Sequence, residues 1–192
     1  ELGDLSAQYD LAMKYADGDG VDRDMAKAAY WFAQAAEQGD MRAVEALGRC
    51  YQLGEGVEQD EGRAVELFRR CVDEDYAPGQ CSLGLCYENG SGVDRDPVRA
   101  AELYQLSADQ GYAPAQCNLA VCYLNGIGVE RDDSRAAELL RQSADQAFPR
   151  GISLLGCCYR DGRGVEPDGA RAAELFRLAA EERYIPALCG LG

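Results

Sequence analysis

The residues here that could carry chemistry are nine cysteines, an excess of carboxylates, and no histidine at all. Lacking histidine, the chain has neither the commonest general base nor the usual metal-binding imidazole. No Gly-x-x-x-x-Gly-Lys loop is present to cradle phosphates. The acidic stretch Asp17-Gly18-Asp19-Gly20-Val21-Asp22-Arg23-Asp24 superficially resembles a calcium loop. It fails because Val21 and Asp22 stand where a third oxygen ligand and the turn glycine belong. The cysteines are Cys50, Cys71, Cys81, Cys86, Cys117, Cys122, Cys157, Cys158 and Cys189, with no Cys-x-x-Cys among them. That spacing gives little support for zinc. No catalytic, cofactor or metal residue is assigned.

Net charge narrows the partners. Lys and Arg number 19 against 34 Asp and Glu, a balance of −15. Nucleic-acid binding depends on cations neutralising phosphates, and anionic membrane surfaces repel such a chain for the same reason. No apolar run approaches the length of a membrane span, so membrane insertion is not expected.

The elements that position these residues are set by a repeat. Gly-x-Gly-Val occurs five times, its valines falling at Val21, Val57, Val93, Val129 and Val165, always 36 residues apart. Numbering from that valine, position −10 is Leu and −6 is Tyr in every copy, +3 is Asp and +7 is Ala. Each unit reads as helix A, loop, helix B: in the first copy about Leu5 to Asp17, then about Met25 to Gln38. The Asp at +3 suits an N-cap. Gly18 and its equivalents suit the left-handed residue that ends helix A, and the second glycine (Gly20, Gly56, Gly92, Gly128, Gly164) another unusual backbone angle. Small residues at −9 (Ala12, Gly48, Gly84, Ala120, Gly156) admit a close helix neighbour, while +10 and +11 supply bulk. One hairpin buries little of this alone; stacked hairpins share a continuous core.

The pattern Leu-Gly-x-Cys-Tyr-x-x-Gly-x-Gly-Val-x-x-Asp…Ala-Ala, seen as Leu83 to Ala101, resembles the Sel-one-like repeat family, relatives of tetratricopeptide repeats. The resemblance covers essentially the whole chain. It implies an all-α, right-handed α-solenoid with a concave wall of A helices, an adaptor or scaffold role, and no catalytic residues. The expected array is a single one of five full repeats, about 5–40, 41–76, 77–112, 113–148 and 149–184. A partial repeat at each end marks a fragment of a longer protein, open to self-association through those truncated ends. A secreted, cysteine-rich branch of the family joins its helices through regular cysteine pairs. Here that regularity is missing and the number is odd. Cys71 is within reach of Cys81 or Cys86, but the reading preferred is free, buried thiols and a reducing cytoplasm. Paired cysteines would instead point to a secreted or periplasmic protein.

Partner binding is expected on one stripe of helix A. Positions −12, −8 and −5 are spaced i, i+4, i+7 and share a face. The core stripe is −14, −10, −7 and −6. The binding stripe comprises Glu45, Arg49 and Gln52 in repeat two, and Cys81, Leu85 and Glu88 in repeat three. It continues as Cys117, Val121 and Leu124, then Ser153, Cys157 and Arg160. Leu85, Val121 and Leu124 are the expected apolar anchors, with Arg49, Glu88 and Arg160 at the rim. The partner is another protein or a peptide segment. Two alternatives stay open: a structural spacer or oligomerisation segment, and a stripe buried because neighbouring A helices close over it. The basic residue at +6 and the Glu at +9 are read as a solvated face of weak ion pairs on helix B.

Overall fold

A computed structural model describes residues 5–181. Ten helices of 13 residues follow one another without a strand among the described residues: α1 (Leu5–Asp17), α2 (Met25–Glu37), α3 (Met41–Leu53), α4 (Glu61–Asp73), α5 (Ala77–Asn89), α6 (Pro97–Asp109), α7 (Ala113–Asn125), α8 (Asp133–Asp145), α9 (Pro149–Asp161) and α10 (Gly169–Glu181). Odd helices are A and even helices B, so the chain is an all-α repeat fold. The partial repeats read at the two ends, and Cys189, lie outside the described residues. The chain divides into two compact units, residues 1–95 with α1 to α5 and residues 96–192 with α6 to α10.

The loop between A and B is fixed by hydrogen bonds that its repeated residues dictate. Gly54, Gly90, Gly126 and Gly162 end their A helices in the left-handed conformation, each donating its N–H to the cysteine carbonyl at −7. The Asp60 N–H then donates back to the Tyr51 carbonyl at 2.9 Å, and Asp24, Asp132 and Asp168 do the same to Tyr15, Tyr123 and Tyr159. The carboxylate of each aspartate caps helix B: Asp24 accepts from the Lys27 N–H at 3.0 Å, Asp60 from Arg63, Asp96 from Val98 and Arg99, Asp132 from Arg135 and Asp168 from Arg171. Such a cap is worth about 0.5–2 kcal/mol.

Within a hairpin, helix B presses a large ring onto the small residue at −9. Phe68 is fully buried, and a Cβ on Gly48 would lie 2.5 Å from its ring; on Gly156 it would lie 2.8 Å from Phe176. Between hairpins of one unit the second loop glycine sets the spacing. A Cβ on Gly56, Gly92, Gly128 or Gly164 would overlap the first backbone carbonyl of the preceding helix B, at Met25, Glu61, Pro97 and Asp133 respectively. Gly20, in the first repeat, meets nothing within 4 Å. Its left-handed φ of +73° is the same as that of its counterparts to within a few degrees. These glycines therefore serve the stacking as well as the turn.

Among the described residues Arg63, Arg135 and Arg171 form no ion pair with the Glu at +9 that the sequence suggested. Lys27 and Arg63 instead pair with the capping Asp24 and Asp60 at 3.1 and 3.4 Å. Lys27, Arg63, Arg135 and Arg171 lie over the −6 rings of Tyr15, Tyr51, Tyr123 and Tyr159, with 4.9–5.5 Å to the centroid. The tyrosine on the antiparallel neighbour offers a cation both a ring face and apolar cover for its stem. A solvated glutamate one turn along offers only a screened charge.

Candidate functional site

Of the stripe expected to bind a partner, position −8 is the one that stays accessible in all five described repeats: Met13, Val121 and Cys157 are half-buried, Arg49 and Leu85 exposed. Position −12 behaves otherwise. Cys81 (4% exposed), Cys117 (0%) and Ser153 (6%) are buried, and so is Leu124 at −5 (8%). These four expected contacts are therefore interior residues, because neighbouring A helices approach closely enough to close over them. Contacts at this seam show how. Glu45 at −12 accepts from the Ser82 hydroxyl of the next A helix at 2.9 Å, and the Arg42 guanidinium lies 4.4 Å from the Tyr9 ring centroid. Gln52 is half-buried and donates to the Cys86 sulfur at 3.7 Å.

The rim residues differ among themselves. Arg160 is bound to Asp161 at 2.7 Å, which takes its charge away from a partner. Glu88 is half-buried, its carbonyl receiving the Arg95 Nε at 3.0 Å. Arg49 forms neither a hydrogen bond nor an ion pair among the described residues. The apolar anchors thus reduce to Leu85 in the first unit and Val121 in the second.

In the first unit the free face of the A helices opens into a cavity of about 310 Å³ between α1 and α3. Met13, Ala16, Ala46 and Leu53 line it, and Arg49, Asp17 and Glu55 edge it. Leu53 was missed by the stripe reading because it sits at −4. Its signal was present: the equivalent residues in the other repeats are Asp or Asn, and Leu53 is 57% exposed. In the second unit a depression of about 770 Å³ lies over α6 and α8 and is polar, lined by Gln105, Gln116, Arg135 and Gln142. Its side chains already bond one another, Arg135 to Gln105 at 3.1 Å and Gln116 to Gln142 at 3.3 Å.

The thiols have no reactive setting. The eight described cysteines form no disulfide with one another, and all but the half-buried Cys157 are buried. Burial pushes Cys50, Cys86, Cys117 and Cys158 up to about 11 and Cys71 to about 12, so thiolate is scarce at neutral pH. Cys71 packs against the backbone of Gly79, where a Cβ would overlap it, and its thiol faces the Met41 carbonyl at 3.9 Å. Among the described residues no group of three or more His, Cys, Asp or Glu is placed to hold a metal ion. No described helix is long and apolar enough to cross a membrane.

Comparison with known proteins gives this architecture a context. The model of the Sel1 repeat matches residues 5–40, 42–74, 77–112, 113–148 and 149–184. A protective antigen of uropathogenic Escherichia coli with an SLR fold is 36% identical, with a TM-score of 0.80 over 97% of this chain. The chain spans 40% of that protein's length. A Sel1 repeat protein from Oxalobacter formigenes is 26% identical with a TM-score of 0.85, covering 99% of this chain and 76% of its own. An immunity protein from Pseudomonas aeruginosa, 22% identical, shares the fold with a TM-score of 0.73 over 95% of this chain and 67% of its own. No curated protein matches the chain.

Proposed function

The chain belongs to the Sel1 repeat family, and from that premise we propose that it is a non-catalytic scaffold that holds a segment of another protein against the free face of its A helices. Sel1 repeat proteins mediate protein–protein interactions. The observation that carries the reading for this chain is the −8 row, accessible in every described repeat, whereas −12 is buried in repeats three to five and −5 in repeat four. The first unit presents Met13, Arg49 and Leu85, the second Val121 and Cys157. Side chains held by stacked helices lose little freedom on binding. An apolar anchor buried there contributes about 1.5–3 kcal/mol. Eight described cysteines that form no disulfide favour a reducing compartment for this role.

The test is the double substitution Leu85→Asp and Val121→Asp. Both side chains lie off the core stripe, so the helical spectrum and Tm should change little. Proteins captured by the wild-type chain from an extract of its own cells should be lost. Unchanged capture by a folded double variant would contradict the reading and favour a structural spacer. Unfolding would show the two residues to be core.

A further inference from the structure

We propose that the cavity between α1 and α3 takes an apolar protein segment bearing one side-chain carboxylate for Arg49, with a basic residue beside it for Asp17 or Glu55. The proposal rests on the scaffold reading above and adds the chemistry of the partner.

The argument begins with a pair that does not form. Glu45 and Arg49 are four apart on α3, the spacing at which a glutamate supports a following arginine on a helix. The structure turns the Glu45 carboxylate the other way, to the Ser82 hydroxyl at 2.9 Å. Burial there raises its pKa, opposed by the Ser82 hydrogen bond and the Arg49 charge. Arg49 is left exposed at the cavity edge with no hydrogen bond and no ion pair among the described residues. Two cations near it are held. Arg23, on the same cavity, donates to the Ala16 carbonyl at 3.0 Å, and Arg42 is held by Asp40 at 2.7 Å.

A free guanidinium beside apolar walls selects a carboxylate, which it can bind through two parallel N–H groups. Met13 and Leu53 flank that position and require the carboxylate to be set among apolar side chains. The rest of the chemistry follows from charge. With a balance of −15, the chain repels a broadly acidic partner and attracts a basic one. Asp17 and Glu55, on the cavity edge, carry side chains with no ion pair among the described residues. The occupant is therefore an apolar segment with a single acidic residue and a basic residue beside it.

The probe is a library of random 16-residue peptides displayed on phage, selected on the whole chain and, in parallel, on the Arg49→Glu and Arg49→Ala variants. Arg49 is exposed, so both variants should fold, as circular dichroism will verify. Peptides selected by the wild type should carry Asp or Glu between apolar residues with Lys or Arg nearby. They should bind both variants at least tenfold more weakly, and Arg49→Glu should select peptides without the carboxylate. Equal binding to wild type and variants would overturn this proposal and leave the scaffold reading standing. Failure of any peptide to bind the wild type would overturn both.

Discussion

At the scale of single residues, Glu45 shows best how position in the stack overrides position on a helix. A helical wheel places it on the binding stripe beside Arg49, and nothing in the sequence shows Ser82 arriving from the next repeat. Its buried carboxyl has a raised pKa, so the folded chain holds a proton that the unfolded chain releases. By linkage, this group's contribution to stability is complete below the ordinary Glu value and is lost as pH rises through the raised folded value. Glu45→Gln should remove that pH dependence and leave the chain as stable as wild type or more so at pH 7. Urea melts between pH 4 and 7 measure it, and an unchanged slope for the variant would contradict the assignment. The thiols give a second check. In the native chain a thiol reagent should reach the half-buried Cys157 ahead of the other described cysteines. After denaturation without reductant, more than half of the nine should react. A denatured count of one would place the chain among the disulfide-bonded members of the family.

At the scale of elements, much was legible. The 36-residue period placed helix B one residue too long at its end in the first copy, with its aspartate cap in the right place. Caps and turn glycines act within a few residues, so local sequence specifies them. The +6 cations were misread because their better partner, the −6 tyrosine, is on the other helix of the hairpin. The −12 position was misread for the same reason: a stripe computed on one helix does not show how near the next A helix comes. The second loop glycine was read only as a turn residue, although its neighbour is the carbonyl of the preceding hairpin. Gly20 and Gly128 separate the two roles. Gly20→Ala should cost about 1–2 kcal/mol for the left-handed backbone alone. Gly128→Ala adds a backbone overlap with Pro97 and should cost about 1–3 kcal/mol more. Chemical melts of the two variants test this, and equal losses would show that the glycine serves the turn only.

At the scale of the molecule, the same interface recurs along the chain. The α3–α4 and α9–α10 hairpins each close a phenylalanine ring onto a glycine, and each next hairpin of a unit seats its loop glycine on the preceding helix B. Stability in such arrays comes from repeats and their nearest-neighbour interfaces. Side chains outside those interfaces are free to vary, and the −8 row does: Met13, Leu85 and Val121 are apolar, Arg49 is a cation and Cys157 a thiol. Constant residues build the stack, and on the proposed reading the variable row meets the partner. The most direct measurement is the amide spectrum of the isotope-labelled chain during titration with a peptide selected on it. Shifts should concentrate on the A helices, around Met13, Arg49, Gln52 and Leu85 in the first unit and Val121 in the second, while helix B amides around Arg69, Glu102 and Glu138 stay in place. Shifts confined to the B helices would contradict the account.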